Sequence, residues 1–578
     1  MFKHKYLFII ISGILFSVPF IFPELNILSF FSGVPFFVIL FGEMQSSKKN
    51  KTIKYTCVFG MSFYLPVYIW FLWMYPMEQT GVTPAQSAFI VIAAWLGFPV
   101  LQTVAMLILP IGLKIFRKIF KNKNTDIFFI PVLTACLYVI LEWAQSWFFS
   151  GLTWAKLSIS QYKNLFFIQS VSLFGTYFTS FVIVFINAAV ALYLLNKLSQ
   201  SQIEKQCEKS VLKPPFERGW QHEVLTGVCR FPVTTSNSAN PRPSGTPFQK
   251  RALRENLLIF AVILLYFANS YFGLFRIIYY DYIDRAGDRQ KITAQIIQGN
   301  ISSYEKWEDS GGQSSFEIYK SLIDGYNDEK IDVCVLPETA IPISISYGSA
   351  TYNRLQNLAA NNNITLFTGI IYNNYEEEKK YNAIMAFDKN YDFIKPYGKR
   401  HLVPFGEYLQ LDKIVTKAFP FVSNMSMFDS VLTPGESADI MTVNGVNYGG
   451  LVCFDSIFPE LARKSVKEGA DILIIVTNDS WFRDSTAIYQ HNAQAVLRAV
   501  ENNRYVVRSA NTGVSSFISN TGKILQQSGI LQREVLTEDI EIVKNKTVYT
   551  IFGDIILYLS CGYIAFCVLI IFKQKLKH

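Results

Sequence analysis

The chain has 578 residues, of which 51% are hydrophobic and only 17% are charged, whereas about 25% are charged in a typical soluble domain. This composition excludes a disordered chain and an ordinary soluble protein of the same length. The formal net charge of +9 is expected to reflect membrane topology rather than nucleic-acid binding, because membrane proteins retain basic residues in their cytoplasmic loops.

Eight apolar windows of about 20 residues, the length that crosses a bilayer as a helix, predict transmembrane spans. They lie near residues 6–22, 27–43, 55–75, 87–112, 127–147, 166–195, 257–275 and 550–572. Lysine and arginine cluster in alternate loops, for example at 48–54 and 114–123, as expected of cytoplasmic loops. We therefore predict that both termini are cytoplasmic and that residues 277–548 lie outside the membrane on its other face.

These spans divide the chain into segments. We assign residues 1–196 to spans one to six, 257–276 to span seven, and 549–578 to the last span and a basic cytoplasmic tail. The segment 197–256 is polar and contains TTSNSANPRPSGTP, which predicts a flexible, basic cytoplasmic loop.

Eight cysteines in a chain of this length are too few for a disulfide scaffold, and none lies in a C-x-x-C pair. Cys207, His222 and Cys229 share the polar loop, but their spacing matches no standard zinc site. We expect no metal and no other cofactor.

From about residue 290 the pattern changes to short β-branched runs that alternate with amphipathic segments. The runs are Ile292–Gln298, Ile331–Leu336, Ile364–Ile371, Ala383–Phe387, Gly449–Cys453, Asp471–Thr477 and Arg504–Ala510. Nearly continuous apolar strands separated by helices predict a layered α/β domain with buried sheets, for which residues 277–548 are long enough.

Three side chains in this region could together perform acyl transfer. Glu338 follows a strand, Lys399 lies in a loop rich in proline and glycine, and Cys453 ends a strand. Each alone fits an ordinary loop, surface or core position. Together they supply a base for the thiol, a cation for the oxyanion and a nucleophile that can form a thioester. The sequence lacks G-x-S-x-G and has only five histidines, so no serine-histidine-aspartate site is convincing.

The motifs around these residues resemble a known superfamily. PETAIP around Glu338, GKRHLVPFGEYLQ around Lys399 and CFDSIFPE around Cys453 resemble the nitrilase, or carbon–nitrogen hydrolase, superfamily. The longer motifs IIQGNISSYEKW, TNDSWF and RSANTGVSSFIS, and the arrangement of spans, resemble the apolipoprotein N-acyltransferases within it. The resemblance implies an αββα sandwich outside the membrane, carried by about eight transmembrane helices.

The resemblance also implies a reaction. An acyl chain would pass from a phospholipid to Cys453 as a thioester, and then to the α-amino group of the S-diacylglyceryl-cysteine that begins a bacterial apolipoprotein. This is the last step of lipoprotein maturation. The enzyme would be a multi-pass protein of the bacterial cytoplasmic (inner) membrane with its catalytic domain on the periplasmic face. We expect a monomer without a nucleic-acid partner.

Roles for individual residues follow from the same resemblance. Glu338 would be the general base, and Lys399 would hold the oxyanion together with the backbone N–H of Phe454. Further residues are implied to support the site or to contact substrate, namely Glu407 and Asp455 for support and Trp307, Asn478 and Trp481 for substrate.

The chain departs from the family pattern at two places. Phe454-Asp455 stand where the family often has Tyr-Glu, which removes a phenol and shortens the carboxylate side chain by one methylene. Arg483 stands where a glycine is expected. Neither change removes a group that the proposed chemistry requires.

Two other functions fit parts of the sequence. A membrane-anchored nitrilase-type amidase acting on a small C–N substrate would use the same three residues, but it would need only one anchoring span. A transporter with an inactive external domain should show repeated halves or charges within its spans. The sequence has no internal repeat, and Glu142 is the clearest charge inside a predicted span.

Overall fold

The computed structural model describes most of the chain. The described residues are 4–45, 51–77, 80–117, 126–147, 151, 153–211, 247–287, 289–306, 310–326, 330–404, 406–408, 412–420 and 432–575. We call residues 4–287 and 548–575 the helical part, and residues 289–547 the sandwich. The helices of the helical part are α1 (Lys5–Ile21), α2 (Val34–Gln45), α3 (Thr52–Val67), α4 (Pro84–Met106), α5 (Ile108–Arg117), α6 (Asp126–Trp147), α7 (Leu165–Ile168), α8 (Val171–Phe174), α9 (Thr176–Val211), α10 (Pro247–Ala286), α17 (Val548–Phe552) and α18 (Ile555–Lys575).

Six helical segments among the described residues are long and apolar enough to cross a membrane. They are Pro23–Gln45, Pro84–Phe116, Ile127–Trp147, Thr176–Ser201, Leu253–Ile283 and Ile555–Lys573. Two of the eight predicted spans are shorter helices, because α1 has 17 residues and α3 has 16 before a 3₁₀ turn begins. At 1.5 Å per residue each is about 25 Å long, less than the roughly 30 Å of a bilayer core. The number of eight spans and the side of the membrane therefore remain predictions.

Two predicted boundaries differ from the observed helices. The window 166–195 is interrupted, because the short α7 and α8 precede a turn at Gly175 with φ of +80°. The predicted loop 197–256 is helical at both ends, since α9 continues to Val211 and α10 begins at Pro247. Leucine, glutamate, lysine and glutamine, which favour helix, continue the pattern past the apolar region. Residues 212–246, with His222 and Cys229, lie outside the described residues, as does the side chain of Cys207.

The sandwich contains thirteen strands among its described residues. They are β1 (Lys291–Gln298), β2 (Val333–Val335), β3 (Ser344–Ile345), β4 (Thr365–Asn374), β5 (Lys379–Phe387), β6 (Tyr397–Gly398), β7 (Met441–Val443), β8 (Val446–Val452), β9 (Ile472–Thr477), β10 (Tyr505–Ala510), β11 (Ser516–Ile518), β12 (Ile524–Gln527) and β13 (Glu534–Glu541). The first sheet has the order β13-β1-β2-β4-β5-β6, with β3 beside β4. The second has the order β12-β11-β10-β9-β8-β7.

The two sheets pack face to face with helices on both outer sides. Their helices are α11 (Ser303–Lys306), α12 (Gly311–Gly325), α13 (Ala350–Asn361), α14 (Asp412–Ala418), α15 (Pro459–Lys467) and α16 (Thr486–Asn502). The core between the sheets joins residues such as Ile296 and Val335 of the first sheet to Val452 and Ile474 of the second. Helices α12 and α13 cover the outer face of the first sheet, and α15 and α16 cover that of the second. This is the expected αββα layering.

The helix layer over the second sheet also packs against the helical part. Apolar residues of α15 and α16 share one buried cluster with α1, α2, α3, α6 and α9. Polar contacts cross the same boundary, where Gln490 Nε2 donates to the carbonyl of Phe20 at 3.0 Å and Arg276 Nη2 donates to Asn503 Oδ1 at 2.8 Å. The second sheet, which carries Cys453, is therefore the sheet closer to the helical part.

Candidate active site

Glu338 lies just beyond the end of β2, and both of its carboxylate oxygens are held. Oε1 accepts from Asn382 Nδ2 at 2.8 Å, and Oε2 accepts from the backbone N–H of Asn478 at 2.9 Å. The side chain is buried, and Thr339 after it has φ of +46°, a conformation that non-glycine residues rarely adopt. The carboxylate is thus fixed in one direction, with lone pairs left to accept a further proton.

Lys399 is buried between two carboxylates. Its Nζ lies 3.0 Å from Glu407 Oε1 and 3.5 Å from Glu338 Oε1. Burial by itself would lower the pKa of Lys399, but the charges of Glu407 and Glu338 outweigh it and raise the pKa above its usual value. The ammonium is therefore a permanent cation beside Glu338, as stabilisation of an oxyanion requires.

Glu407 and Asn382 complete this network. Glu407 Oε2 accepts from the N–H of Val403 at 2.7 Å, which fixes the loop that follows Lys399. Asn382 Nδ2 donates to both Glu338 and Glu407, at 2.8 and 2.7 Å. Asn382 was not predicted from the sequence, although a polar residue in the buried strand β5 was a signal that could have indicated it.

Cys453 follows β8 and begins the 3₁₀ turn Cys453–Ile457 with φ of +48°. A strained backbone conformation of this kind persists only where neighbouring groups impose it, and such residues are concentrated at functional sites. The structure therefore places Cys453 at a sharp strand-to-helix turn that presents its side chain at the end of the second sheet.

The surroundings of Cys453 favour the protonated thiol over the thiolate. Burial raises the pKa of Cys453 above its usual value, and the charge of Glu338 raises it further, although Lys399 acts in the opposite direction. The thiol is therefore protonated near neutral pH and needs a base before it can attack a carbonyl.

Asp455 ties the Cys453 turn to the Lys399 loop. Its Oδ1 accepts from the N–H of His401 at 2.8 Å, and its Oδ2 accepts from the phenol of Tyr397 at 2.8 Å and the N–H of Val452 at 3.2 Å. Both oxygens of the Asp455 carboxylate therefore accept hydrogen bonds, although its side chain is one methylene shorter than that of the expected glutamate. Phe454 is buried and packs edge-to-face on Phe458 at 5.2 Å.

The predicted substrate contacts are placed in different surroundings. Asn478 meets Glu338 through its backbone, while its side-chain Oδ1 accepts from Asn511 Nδ2 at 2.9 Å. Trp481 is half-buried against the cluster of Met77, Val82 and Val91 in the helical part. Trp307 lies outside the described residues. Their roles in substrate binding remain predictions.

Arg483 keeps a backbone conformation suited to the glycine that was expected there. Its φ is +48° and ψ is −125°, a region that glycine enters more easily than other residues. The side chain reaches the helical part, where Nη2 donates to the carbonyl of Pro76 at 3.1 Å. The departure therefore adds a contact between the two parts without removing the turn.

A buried group that the sequence analysis did not single out lies beside Cys453. A ligand atom of each of Cys453, Asp479 and His491 lies within 4.8 Å of the others, close enough to hold a metal ion. The carboxylate of Asp479 is already bound by His491 at 2.8 Å and by Arg508 at 2.7 Å. The guanidinium beside it disfavours a second cation, so we interpret the group as a hydrogen-bond network.

Gly369 of β4 leaves room for the backbone at Glu338, and Gly369→Ala is expected to disturb it. A Cβ at this position would lie 2.8 Å from the carbonyl oxygen of Pro337 and from the nitrogen of Thr339. We expect a loss of about 1–3 kcal/mol in the free energy of unfolding. Thermal melting measures this. Gly325→Ala is the control, since no atom lies within 4 Å of its Cβ, and equal melting of both variants would contradict the prediction.

For the thioester predicted from the sequence, Lys399→Met is expected to slow acylation of Cys453 by roughly 10²–10³-fold, the usual effect of losing one oxyanion donor. The change also leaves Glu407 without its cation at 3.0 Å, so some loss of stability should accompany it. Time-resolved mass spectrometry of the acyl-enzyme measures the rate. Lys395→Met is the matched control, because Lys395 is 72% exposed in its ion pair with Asp439. A Lys399→Met rate close to that of the control would remove Lys399 from the mechanism.

Known protein families match two separate regions of the chain, one in the helical part and one in the sandwich. Residues 294–546 match the carbon-nitrogen hydrolase family, and residues 12–189 match the apolipoprotein N-acyltransferase N-terminal domain. The apolipoprotein N-acyltransferase of Geobacter metallireducens is 28% identical over 76% of this chain and 74% of its own length. The apolipoprotein N-acyltransferase of Pasteurella multocida is 31% identical over 48% of this chain. This chain spans 54%, about half, of that relative's length. The crystal structure of Saccharomyces cerevisiae Nit3, of the nitrilase superfamily, aligns with a TM-score of 0.35 and 22% identity over 44% of this chain and 90% of that chain.

Proposed function

We propose that the chain is an apolipoprotein N-acyltransferase of the carbon–nitrogen hydrolase superfamily, which uses a phospholipid to acylate the N-terminal S-diacylglyceryl-cysteine of bacterial apolipoproteins. The observation that carries the chemistry is the buried Lys399, 3.5 Å from Glu338, with both charges acting on Cys453. The match of residues 12–189 to the acyltransferase N-terminal domain favours this function over a small-substrate amidase.

The first half of the proposed reaction forms a thioester. Glu338 takes the proton of the Cys453 thiol, and the sulfur attacks an ester carbonyl of the phospholipid. Lys399 and the N–H of Phe454 stabilise the oxyanion. The carbon–oxygen bond then breaks, and the departing lysophospholipid alkoxide takes from Glu338 the proton that came from the thiol.

The second half passes the acyl chain to the apolipoprotein. The neutral α-amine attacks the thioester carbonyl, and Glu338 removes a proton from the attacking nitrogen. The carbon–sulfur bond breaks as the amide forms, and the thiolate of Cys453 regains a proton from Glu338. One site thereby serves both substrates in a ping-pong sequence, with no cofactor required.

The nature of the substrates supports a catalytic domain attached to membrane helices. Both lipids react at the headgroup level, and lifting their chains out of a bilayer would cost about 0.8 kcal/mol per CH₂. The sandwich is flanked by α10 and α18, each within a segment apolar enough to cross a membrane. We place the protein in the bacterial cytoplasmic membrane with the sandwich on the outer face.

The mass of the Cys453-containing peptide after incubation with phospholipid alone tests the proposal. We expect a fatty-acyl mass increment that hydroxylamine removes and that is absent in Cys453→Ser. Adding a diacylglyceryl peptide should then discharge the acyl-enzyme and yield an N-acylated peptide. Cleavage of small amides without any trapped acyl-enzyme would contradict the proposal and favour an amidase.

A further inference from the structure

His491 contacts the backbone of the nucleophile from α16. Its Nε2 lies 3.2 Å from the carbonyl oxygen of Cys453 and 3.0 Å from Ser456 Oγ. Ser456 Oγ donates to the same carbonyl at 2.7 Å. Two buried side chains therefore converge on the carbonyl of the residue whose thiol must point at the substrate.

The other side of the imidazole is anchored by Asp479. Nδ1 of His491 lies 2.8 Å from Asp479 Oδ1, which also accepts from Thr477 Oγ1 at 2.8 Å. Burial opposes ionisation of Asp479, but Arg508 and His491 favour it and hold the pKa of Asp479 below its usual value. An ionised carboxylate and a carbonyl oxygen both only accept hydrogen bonds, so each ring nitrogen of His491 faces an acceptor, and the two contacts fix the orientation of the ring.

The imidazole contacts one aromatic ring of the helical part, Trp154, and one of the sandwich, Phe482. The ring of Trp154 packs on His491 at 5.3 Å with an interplanar angle of 40°, and Phe482 meets the ring at 6.3 Å and 88°. Trp154 is 2% exposed and is itself packed against Trp70 at 5.3 Å. A residue from outside the sandwich thus restricts the tilt of the ring that holds the carbonyl of Cys453.

This restriction matters because Cys453 adopts φ of +48°, a conformation that persists only when neighbouring groups impose it. Asp455 accepts from the N–H of Val452, on the strand side of the turn. On the other side, His491 and Ser456 hold the carbonyl of Cys453. A change in the direction of that carbonyl rotates the peptide that carries the N–H of Phe454 and moves the thiol.

We propose that His491 and Trp154 are positioning residues for the nucleophile, with Trp154 orienting His491 and His491 holding the carbonyl of Cys453. The helical part then does more than anchor the catalytic domain, because one of its residues helps to set the direction of the thiol. The inference rests on the proposed function only in that Cys453 is the reacting thiol.

A double-mutant cycle on the full-length protein in detergent tests this relation. Trp154→Ala, His491→Ala and their combination are compared by the rate at which iodoacetamide alkylates Cys453 and by the rate of acylation from phospholipid. We expect each single variant to lower both rates roughly 10- to 100-fold, because small misplacements of a reacting group have such effects. The double variant should match His491→Ala within about twofold.

Conservative variants separate positioning from a general loss of structure. His491→Gln keeps a donor for the carbonyl of Cys453 and should recover part of the rate that His491→Ala loses. Trp154→Phe should keep the ring contact and stay near wild type, whereas Trp154→Leu should be slow. If His491→Ala does not fold, the comparison of Trp154→Phe with Trp154→Leu tests the positioning role instead. Trp147→Ala is the control, since Trp147 is 66% exposed, and both of its rates should be unchanged.

Independent, multiplicative losses in the double variant would overturn the proposal, as would a Trp154→Leu protein that reacts like wild type. Failure of the proposed function looks different. In that case the wild-type protein would not form an acyl-enzyme from phospholipid, while alkylation of Cys453 would still report whether Trp154 and His491 position the thiol.

Discussion

Cys453→Ala is expected to abolish both the acyl-enzyme and the transfer of the acyl chain, lowering turnover by a factor on the order of 10⁴ or more. Without sulfur no thioester can form, and neither Glu338 nor Lys399 can replace the nucleophile. The protein should still fold, because the change removes one atom from a half-buried side chain. The measurement is N-acylation of a diacylglyceryl peptide by purified protein, followed by mass spectrometry.

Cys561→Ala is the matched control, because Cys561 is exposed on α18 and belongs to no proposed site. It should retain wild-type turnover and wild-type acylation of Cys453. Full transfer by Cys453→Ala would exclude a thioester at this residue. The reaction would then need another nucleophile or a direct attack of the amine on the phospholipid.

Glu338→Gln is expected to lower the rate of acyl-enzyme formation by roughly 10²–10⁴-fold, the contribution usual for a general base. Glutamine has nearly the same shape, but its single amide oxygen can accept only in place of one carboxylate oxygen, so the hydrogen bond from either Asn382 Nδ2 or the N–H of Asn478 is lost while the fold of the site should persist. The neutral amide cannot take the proton of Cys453. Since burial alone raises the pKa of this thiol, the remaining thiolate is too scarce near neutral pH to react quickly.

The rate of Glu338→Gln should therefore rise with pH, because deprotonation by solvent replaces the missing base. Acylation rates between about pH 6 and pH 10 measure this, with thermal melting as a test of the fold. Glu436→Gln is the control, since Glu436 is 84% exposed and pairs only weakly, at 3.6 Å from Lys379. A pH-independent loss in Glu338→Gln would indicate a positioning role instead of a base.

The strands of the sandwich were well predicted where they are buried on both faces. The runs at 292–298, 471–477 and 504–510 match β1, β9 and β10 to within one residue at each end. Their β-branched side chains face the core between the sheets on one side and a helix layer on the other, so the whole run is apolar. Two-residue strands such as β3 and β6 carry no such pattern, because tertiary pairing alone creates them.

The helical part was predicted less precisely. A hydropathy window records apolar residues but not where the helix bends, so it did not reveal the turn at Gly175 or the 3₁₀ segment Ile69–Met74 after α3. The ends of α9 and α10 were missed for the opposite reason. Polar residues that favour helix continue both elements into the segment 197–256 that composition alone predicted to be a loop.

From the chain alone, a base, a cation and a thiol nucleophile can be predicted. Local motifs mark Glu338, Lys399 and Cys453, because each motif is a continuous stretch whose residue types and turn residues are legible in the chain. How these groups are held depends on packing between elements that are distant in the chain. Asn382 bridges Glu338 and Glu407 from a separate strand, and Trp154 meets His491 across more than three hundred residues. Such pairings depend on which elements pack together, and no local pattern of residues encodes them.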